Sequence, residues 1–269
     1  MTQVENYAIL ISSCEKFSDL WEENIRHLKK NWKGKLPRIV LVSDGFSSKK
    51  IPGVEIVWYE GNMPFRLKQA LSALDCDYVL VTLDDYFLIK ETQGDDIEHL
   101  VQMCEKNSIH YLQLYHRRKS KKLSRHSLDD IERIDLTANY AVCLYPAIWD
   151  RKFLDYCIKE DLSPWEFEPK LTGMAKEYAA NCYFCRKCCF YILDVVRKGK
   201  ILHKAKKYFK RNKINIGDRQ TISYATEIKL TMADLVSVYL PKPVYCICKS
   251  IAKKNGLQIF QRLPITHGL

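Results

Sequence analysis

The chain has 269 residues, 47% hydrophobic and 12% aromatic, enough apolar material for one sizeable core or a core with a smaller lobe. No run approaches the roughly 18 to 20 apolar residues that span a bilayer, and MTQVENYAIL lacks the basic and apolar regions of an export signal, so a cytosolic chain is expected. The formal charge of +11 points to anionic partners, whether nucleic acid, an anionic membrane surface or phosphorylated small molecules, and does not choose among them.

Residues 7–12 (YAILIS) are a short apolar run, followed by a helical pattern in which Leu20, Trp21, Ile25 and Leu28 share one face. Residues 38–43 (RIVLVS) and 54–59 (VEIVWY) read as further strands, 65–74 as a helix, and 78–83 (YVLVTL) as a strand that stops at Asp84-Asp85. These runs are uninterrupted rather than alternating, as parallel strands covered on both faces are, and their order is that of an α/β sheet with crossover helices. A helix over 94–106 and a strand over 109–115 continue the rhythm, and the basic segment 116–127 reads as a surface loop. Beyond it, 138–146 (ANYAVCLYP) is expected as a strand and 147–159 as a helix. A second helix starts near Glu166, with Ser163 placed to cap it and Pro164 suited to its first turn. Further helices or hairpins fill 180–215, and helical stretches are expected near 219–240 and 246–255.

Eleven cysteines in a long chain without an export signal read as reduced thiols. Cys182, Cys185, Cys188 and Cys189 have a metal-like spacing but lack the second, distant pair of a structural zinc site, and small apolar packing residues are the competing reading. His203 falls on a basic helix and is expected at the surface.

Ligands of open α/β sheets bind beyond the carboxyl ends of the strands. Ser12-Ser13, Ser43-Asp44, Asn62 and Asp84-Asp85 all fall there. Two adjacent carboxylates repel unless a cation compensates, and a divalent ion shared with a diphosphate does so through hard oxygen ligands. An Asp-Asp pair also opens turns and caps helices, so both readings stand. Arg66 reaches the same edge, either toward a diphosphate or as a solvated first-turn arginine. Ser12 and Asp44 are placed to hold base or ribose, or simply to form strand-end turns. In Trp165-Glu166-Phe167-Glu168, an indole can cover a pyranose face while a carboxylate takes a hydroxyl proton. Spacing does not rank Glu166 against Glu168, and Glu166 is preferred as the residue nearer the turn. Glutamates in a first turn are also expected from helix electrostatics alone.

In their order, YAILISSCEKFSDLWEENIRHL (7–28), IVLVSDG (39–45), NMPFRLKQAL (62–71), YVLVTLDDYFL (78–88), AVCLYPAIWDRKFL (141–154) and SPWEFE (163–168) resemble GT-A glycosyltransferases. The likeness is to the small bacterial enzymes encoded with capsule, O-antigen and other surface-polysaccharide genes, and it covers about the first 170 residues. It implies a Rossmann-like, mostly parallel sheet flanked by helices, with a donor half at 1–115, an acceptor half at 116–180 and a mainly helical, basic region at 181–269. It implies a UDP-, GDP- or dTDP-sugar donor and transfer to a saccharide or polyprenyl-diphosphate-linked acceptor, at the cytoplasmic face of the membrane. Asp84 and Asp85 resemble the family's metal and diphosphate aspartates, served by Mg²⁺ or Mn²⁺. The usual pattern is Asp-x-Asp, and Tyr86 stands in the third place, so the resemblance implies a metal that is weakly bound or dispensable. Ser12 and Asp44 resemble the nucleotide contacts, and Trp165-Glu166 the acceptor-side pair containing the general base of inverting members.

A nucleotidyltransferase would share the sheet but place a glycine-rich loop after the first strand, and SSCEKFS (12–18) has no glycine. A non-catalytic sugar-nucleotide-binding protein would bind the donor without turnover. A nucleic-acid-binding module is favoured by charge alone, because neither stacking platforms between the basic residues nor a helix-turn-helix or finger is present.

Overall fold

The computed structural model describes residues 6–114, 131–158, 162, 164–187 and 189–239, the side chains of 164–165 and 233–239 excepted. The N-terminal part is built as the apolar runs require. Strand β1 (Tyr7–Ser12) leads through a single 3₁₀ turn (Glu15–Phe17) into helix α1 (Ser18–Asn31) and the two-residue β2 (Trp32–Lys33). Then come β3 (Ile39–Ser43), β4 (Glu55–Trp58), helix α2 (Met63–Ser72) and β5 (Tyr78–Leu83). Every residue of β1, β3 and β5 is buried. Asn62 caps α2, its Oδ1 accepting from the Phe65 N–H at 3.0 Å, and Pro64 sits in the first turn where its missing N–H costs nothing.

The chain turns at Asp84-Asp85 into β6 (Tyr86–Leu88), and continues through β7 (Thr92–Gln93), helix α3 (Gly94–Lys106) and β8 (Tyr111–Gln113). Gly94 is required by close approach: a Cβ there would lie 2.7 Å from Trp32 Nε1 and 2.9 Å from the Lys33 carbonyl. After β9 (Ile131–Arg133) come β10 (Ala147–Asp150), α4 (Arg151–Cys157) and α5 (Pro164–Glu177). The C-terminal part holds β11 (Cys182–Cys185), β12 (Ile192–Asp194), β13 (Val196–Arg197), β14 (Lys200–Ile201), α6 (His203–Asn212) and α7 (Tyr224–Tyr239).

The main sheet has eight strands in the order β4-β3-β1-β5-β10-β8-β11-β9. β4, β3, β1 and β5 run parallel, β10 lies antiparallel between β5 and β8, β11 is parallel to β8, and β9 closes the edge antiparallel. The α/β, mostly parallel sheet flanked by helices and followed by a helical C-terminal part is thus the one expected from the sequence. Helix α1 is sandwiched: Trp21, Ile25 and Leu28 face the main core, while Leu20 joins Phe17, Phe87, Phe209, Ile222 and Leu230 in a second core under α6 and α7.

Two expectations are corrected. Residues 138–146 form no strand; they run in turns and bends, with Tyr140 in the left-handed region at φ 52°, and the strand is 147–150 instead. The expected helix over 147–159 therefore begins only at Arg151. Ile148, Phe153, Leu154 and Cys157 imitate a helical stripe, but Asp150 marks the true boundary: its Oδ1 accepts from the Phe153 N–H at 2.7 Å. The loop at 116–127, the Ser163 cap and the stretch at 246–255 lie outside the described residues. The region 180–215 resolves into short strands and one helix. His203 opens α6, half-buried, with Nδ1 on Glu227 and its ring stacked on Tyr224 at 3.6 Å.

Candidate active site

The carboxyl ends of β1, β3 and β5 bring the first group of expected residues together. Asp84 and Asp85 form the turn after β5, and both are buried. The turn is clamped from α1: Asn24 Nδ2 donates to the carbonyls of Asp84 and Tyr86, each at 2.9 Å. Ser13 Oγ donates to Asp84 Oδ2 and itself accepts from Trp21 Nε1 at 2.6 Å, so a relay from the helix fixes the carboxylate. Ser12 supplies its carbonyl to the Asp84 N–H at 3.3 Å. Arg66 is buried, donating Nη1 to the Gly61 carbonyl at 2.7 Å and Nη2 to the Ser13 carbonyl at 3.3 Å. Its Nη1 also lies 3.6 Å from Asp44 Oδ2, and Asp44 Oδ1 accepts from the Glu15 N–H at 2.7 Å. Beside Asp44, at the ends of β3 and β4, Phe46 and Trp58 are exposed and meet edge to face with centroids 6.4 Å apart.

Electrostatics set this turn apart. Burial pushes Asp84 up to about 7, opposed by its hydrogen bond from Ser13 and by the charge of Arg219. Asp85 is raised well above the ordinary carboxylate range by burial, then by the charges of Asp194 and Asp84. Asp85 Oδ1 has no hydrogen-bond partner among the described residues. Burial therefore favours the protonated form of both carboxyls. The neighbouring Cys14 thiol is pushed up to about 12, by burial first and then by Asp84 and Asp44, which keeps it protonated and not nucleophilic.

The donor set tests what cation suits it. Among the described residues no three His, Cys, Asp or Glu side chains converge on a common point. Asp84 and Asp85 are hard oxygen donors of the kind Mg²⁺ or Mn²⁺ takes, one of them with an orphaned oxygen, and both are buried in the turn. Cys182 and Cys185 stand three residues apart on β11, which directs them to opposite faces of the strand, so that pair does not share a ligand site.

The acceptor-side residues lie on α5. Glu166 is exposed on its first turn; the side chain of Trp165 lies outside the described residues. Glu168 is buried, and its Oε1 accepts from the Leu144 N–H at 3.3 Å. That bond ties α5 to the segment whose Tyr145 ring stacks flat on Tyr86, 5.5 Å between centroids and 3° between planes. Tyr86 follows Asp85, so the two clusters are joined through one aromatic stack.

Four residues near the turn escape sequence reasoning. Asp194 is paired with Tyr86 across β12–β6, and the Val195 N–H donates to the Asp85 carbonyl at 2.9 Å. Arg197 Nε holds Asp194 Oδ2 at 2.9 Å. Arg219 crosses 200 residues of sequence to grip both Asp19 oxygens at 2.5 and 2.6 Å, donates to the Lys16 carbonyl at 2.7 Å, and lies over the Phe17 ring. The apolar run before Asp194 is a strand-end signal like that before Asp84. Nothing local marks Asn24, Arg197 or Arg219.

No protein-family model matches the sequence, and no curated protein matches it either. Among solved structures the chain is similar to S. aureus TarS 1–349, at 13% identity and a TM-score of 0.48, over 70% of this chain and 60% of that one. It is similar to the longer S. aureus TarS at 12% identity and a TM-score of 0.49, over 88% of this chain and 40% of that one. It is similar to the bifunctional IspDF from Campylobacter jejuni at 13% identity and a TM-score of 0.42, over 71% and 52%. The chain thus spans from 40% to 60% of these three proteins, and at such scores the likenesses say nothing of activity. What is established is an α/β fold whose parallel strand ends gather three carboxylates, a buried arginine and an exposed aromatic pair.

Proposed function

We propose that this chain is a glycosyltransferase. It takes a sugar from a UDP-, GDP- or dTDP-sugar and passes it, with inversion, to a saccharide or polyprenyl-diphosphate-linked acceptor in surface-polysaccharide assembly. The observation that carries the reading is the convergence of Ser12-Ser13, Asp44, Arg66 and Asp84-Asp85 at one edge of the sheet. Ser12 and Asp44 hold base and ribose, with Phe46 and Trp58 available to stack on the base. Arg66 faces the diphosphate. Asp84 and Asp85 would hold Mg²⁺ or Mn²⁺, which when bound supplies positive charge to the departing nucleoside diphosphate. Glu166 removes the acceptor proton beside Trp165, and Glu168 positions that subsite through Leu144. In this reading 1–115 binds the donor, 116–180 the acceptor, and the basic region 181–269 faces an anionic membrane at the cytoplasmic side.

The test is a thermal-shift screen against UDP, GDP, CDP and dTDP with and without Mn²⁺, because a ligand that binds only the folded state raises its apparent stability. The expected result is a shift for one nucleotide that grows with Mn²⁺ and is lost in Asp85→Asn and Arg66→Met. Turnover of the matching nucleotide sugar, lost in Glu166→Gln while the shift persists, separates a transferase from a protein that only binds the donor. No shift with any nucleotide overturns the donor site.

A further inference from the structure

Of the five large hydrophobic side chains exposed among the described residues, three lie on α7: Tyr224 at 70%, Ile228 at 62% and Met232 at 56%. They are four residues apart and so form one stripe along the helix. Leu230, about 160° round the helix from the middle of that stripe, is buried in the second core, which anchors α7 and leaves the stripe outward. Helix α6 is anchored to the same core by Ala205 and Phe209 and exposes Lys204, Lys206, Lys207, Lys210 and Arg211. The two helices are joined at their starts, where the His203 N–H donates to Glu227 Oε2 at 3.1 Å. Residues 197–232 contain eleven Lys or Arg and only two acids, Asp218 and Glu227, the second held by His203.

We propose that α6 and α7 form a docking surface for an anionic lipid bilayer, with the α7 stripe entering the interface and the α6 cations meeting the headgroups. An exposed apolar stripe has no counterpart on a phosphate backbone, which argues against nucleic acid. A lysine-rich helix beside the stripe is the complement of a bilayer with negative charge. Tyr224 opens the stripe with a ring suited to the boundary between headgroup and acyl chain. Among the described residues no helix is long and apolar enough to cross a membrane, so the contact is with the surface. This assigns a place on the molecule to the membrane contact proposed above, and it stands independently of sugar transfer.

The experiment is co-sedimentation of the full chain with vesicles of phosphatidylglycerol and phosphatidylcholine, and with phosphatidylcholine alone. The wild type is expected to bind the anionic vesicles, to release them at high salt, and to bind neutral vesicles weakly. Ile228→Asp/Met232→Asp and Lys206→Glu/Lys207→Glu should each weaken binding at least about tenfold, since each Lys or Arg at such a surface contributes roughly fivefold. Both pairs are exposed, so melting temperature and any nucleotide-induced shift should be unchanged; a lost nucleotide shift in the wild type is a failure of the donor site, not of this surface. Anionic-vesicle binding that persists in both variants overturns the proposal and moves the contact elsewhere in the chain. A wild-type dimer that Ile228→Asp/Met232→Asp converts to monomer also overturns it, by giving the stripe to a second copy.

Discussion

Replacing Asp84 by asparagine should stabilise the ligand-free protein at alkaline pH, although it removes the acceptor of a buried hydrogen bond's full charge. The folded-state pKa of Asp84 is raised from 3.8 to about 7, chiefly by burial. A raised acid binds its proton more tightly folded than unfolded, so its cost is absent below 3.8, grows as pH climbs to about 7, and is constant above. At about 1.36 kcal/mol per pH unit, ionising it costs about 4 kcal/mol at pH 8, of which about 2 to 3 kcal/mol accrues between pH 5 and pH 8. Asp84→Asn keeps an oxygen to accept from Ser13 and never ionises, and the help that Ser13 gives the charged form is already contained in the folded-state pKa of about 7. The variant is therefore expected to gain about 2 to 3 kcal/mol on the wild type between pH 5 and pH 8. Asp85, raised in the same direction, is relieved by the same substitution. His27, which burial pushes down, loses stability toward acid in both proteins and cancels in the difference. Urea unfolding followed by fluorescence, in EDTA at both pH values, reads the two gaps. A gap that is the same at pH 5 and pH 8, or a variant less stable at pH 8, would refute the argument that the turn stores electrostatic strain.

Arg219→Met should cost about 1 to 3 kcal/mol in urea unfolding, because it leaves the Lys16 carbonyl and Asp19 without their donor. Phe46→Ala/Trp58→Ala is expected to leave the melting temperature within a degree or two and weaken nucleotide binding by calorimetry about tenfold or more, in line with about 1 to 3 kcal/mol for a stacked base. Glu168→Ala should lower the melting temperature and impair turnover together, since the Leu144 N–H loses its acceptor, whereas Glu166→Gln should affect turnover alone. Cys182→Ser/Cys185→Ser should leave any bound zinc, read by atomic absorption, at the wild-type level.

The legible part of this molecule is the part written in local pattern. Tyr78–Leu83 is an apolar run with a carboxylate at each flank, and the strand is bounded by just those residues. The helix over Gly94–Lys106 is readable for the same reason, its acids in the first turn and Lys106 in the last. Residues 138–150 mislead because burial on both faces removes the alternation that separates a strand from a helix stripe, and only the capping role of Asp150 distinguishes them. The site divides likewise. Asp84, Asp85, Asp44 and Arg66 stand at strand or helix ends and can be picked out one at a time. Asp194 and Arg219 act through pairings 108 and 200 residues distant, and no spacing rule reaches that far.

The strap formed by β12 on β6, with the Val195 N–H on the Asp85 carbonyl, also carries a schedule. During synthesis Asp84 is made 110 residues before Asp194. At about 5 to 20 residues per second, that leaves the acidic turn without this strap for roughly 5 to 20 seconds on every new chain. Over that interval Asp85 lacks the neighbouring charge of Asp194, one of the causes that raise it in the finished fold. A nascent chain that ends before β12 thus holds its acidic turn through Ser13 and Asn24, and the strap and the Asp194 charge arrive together.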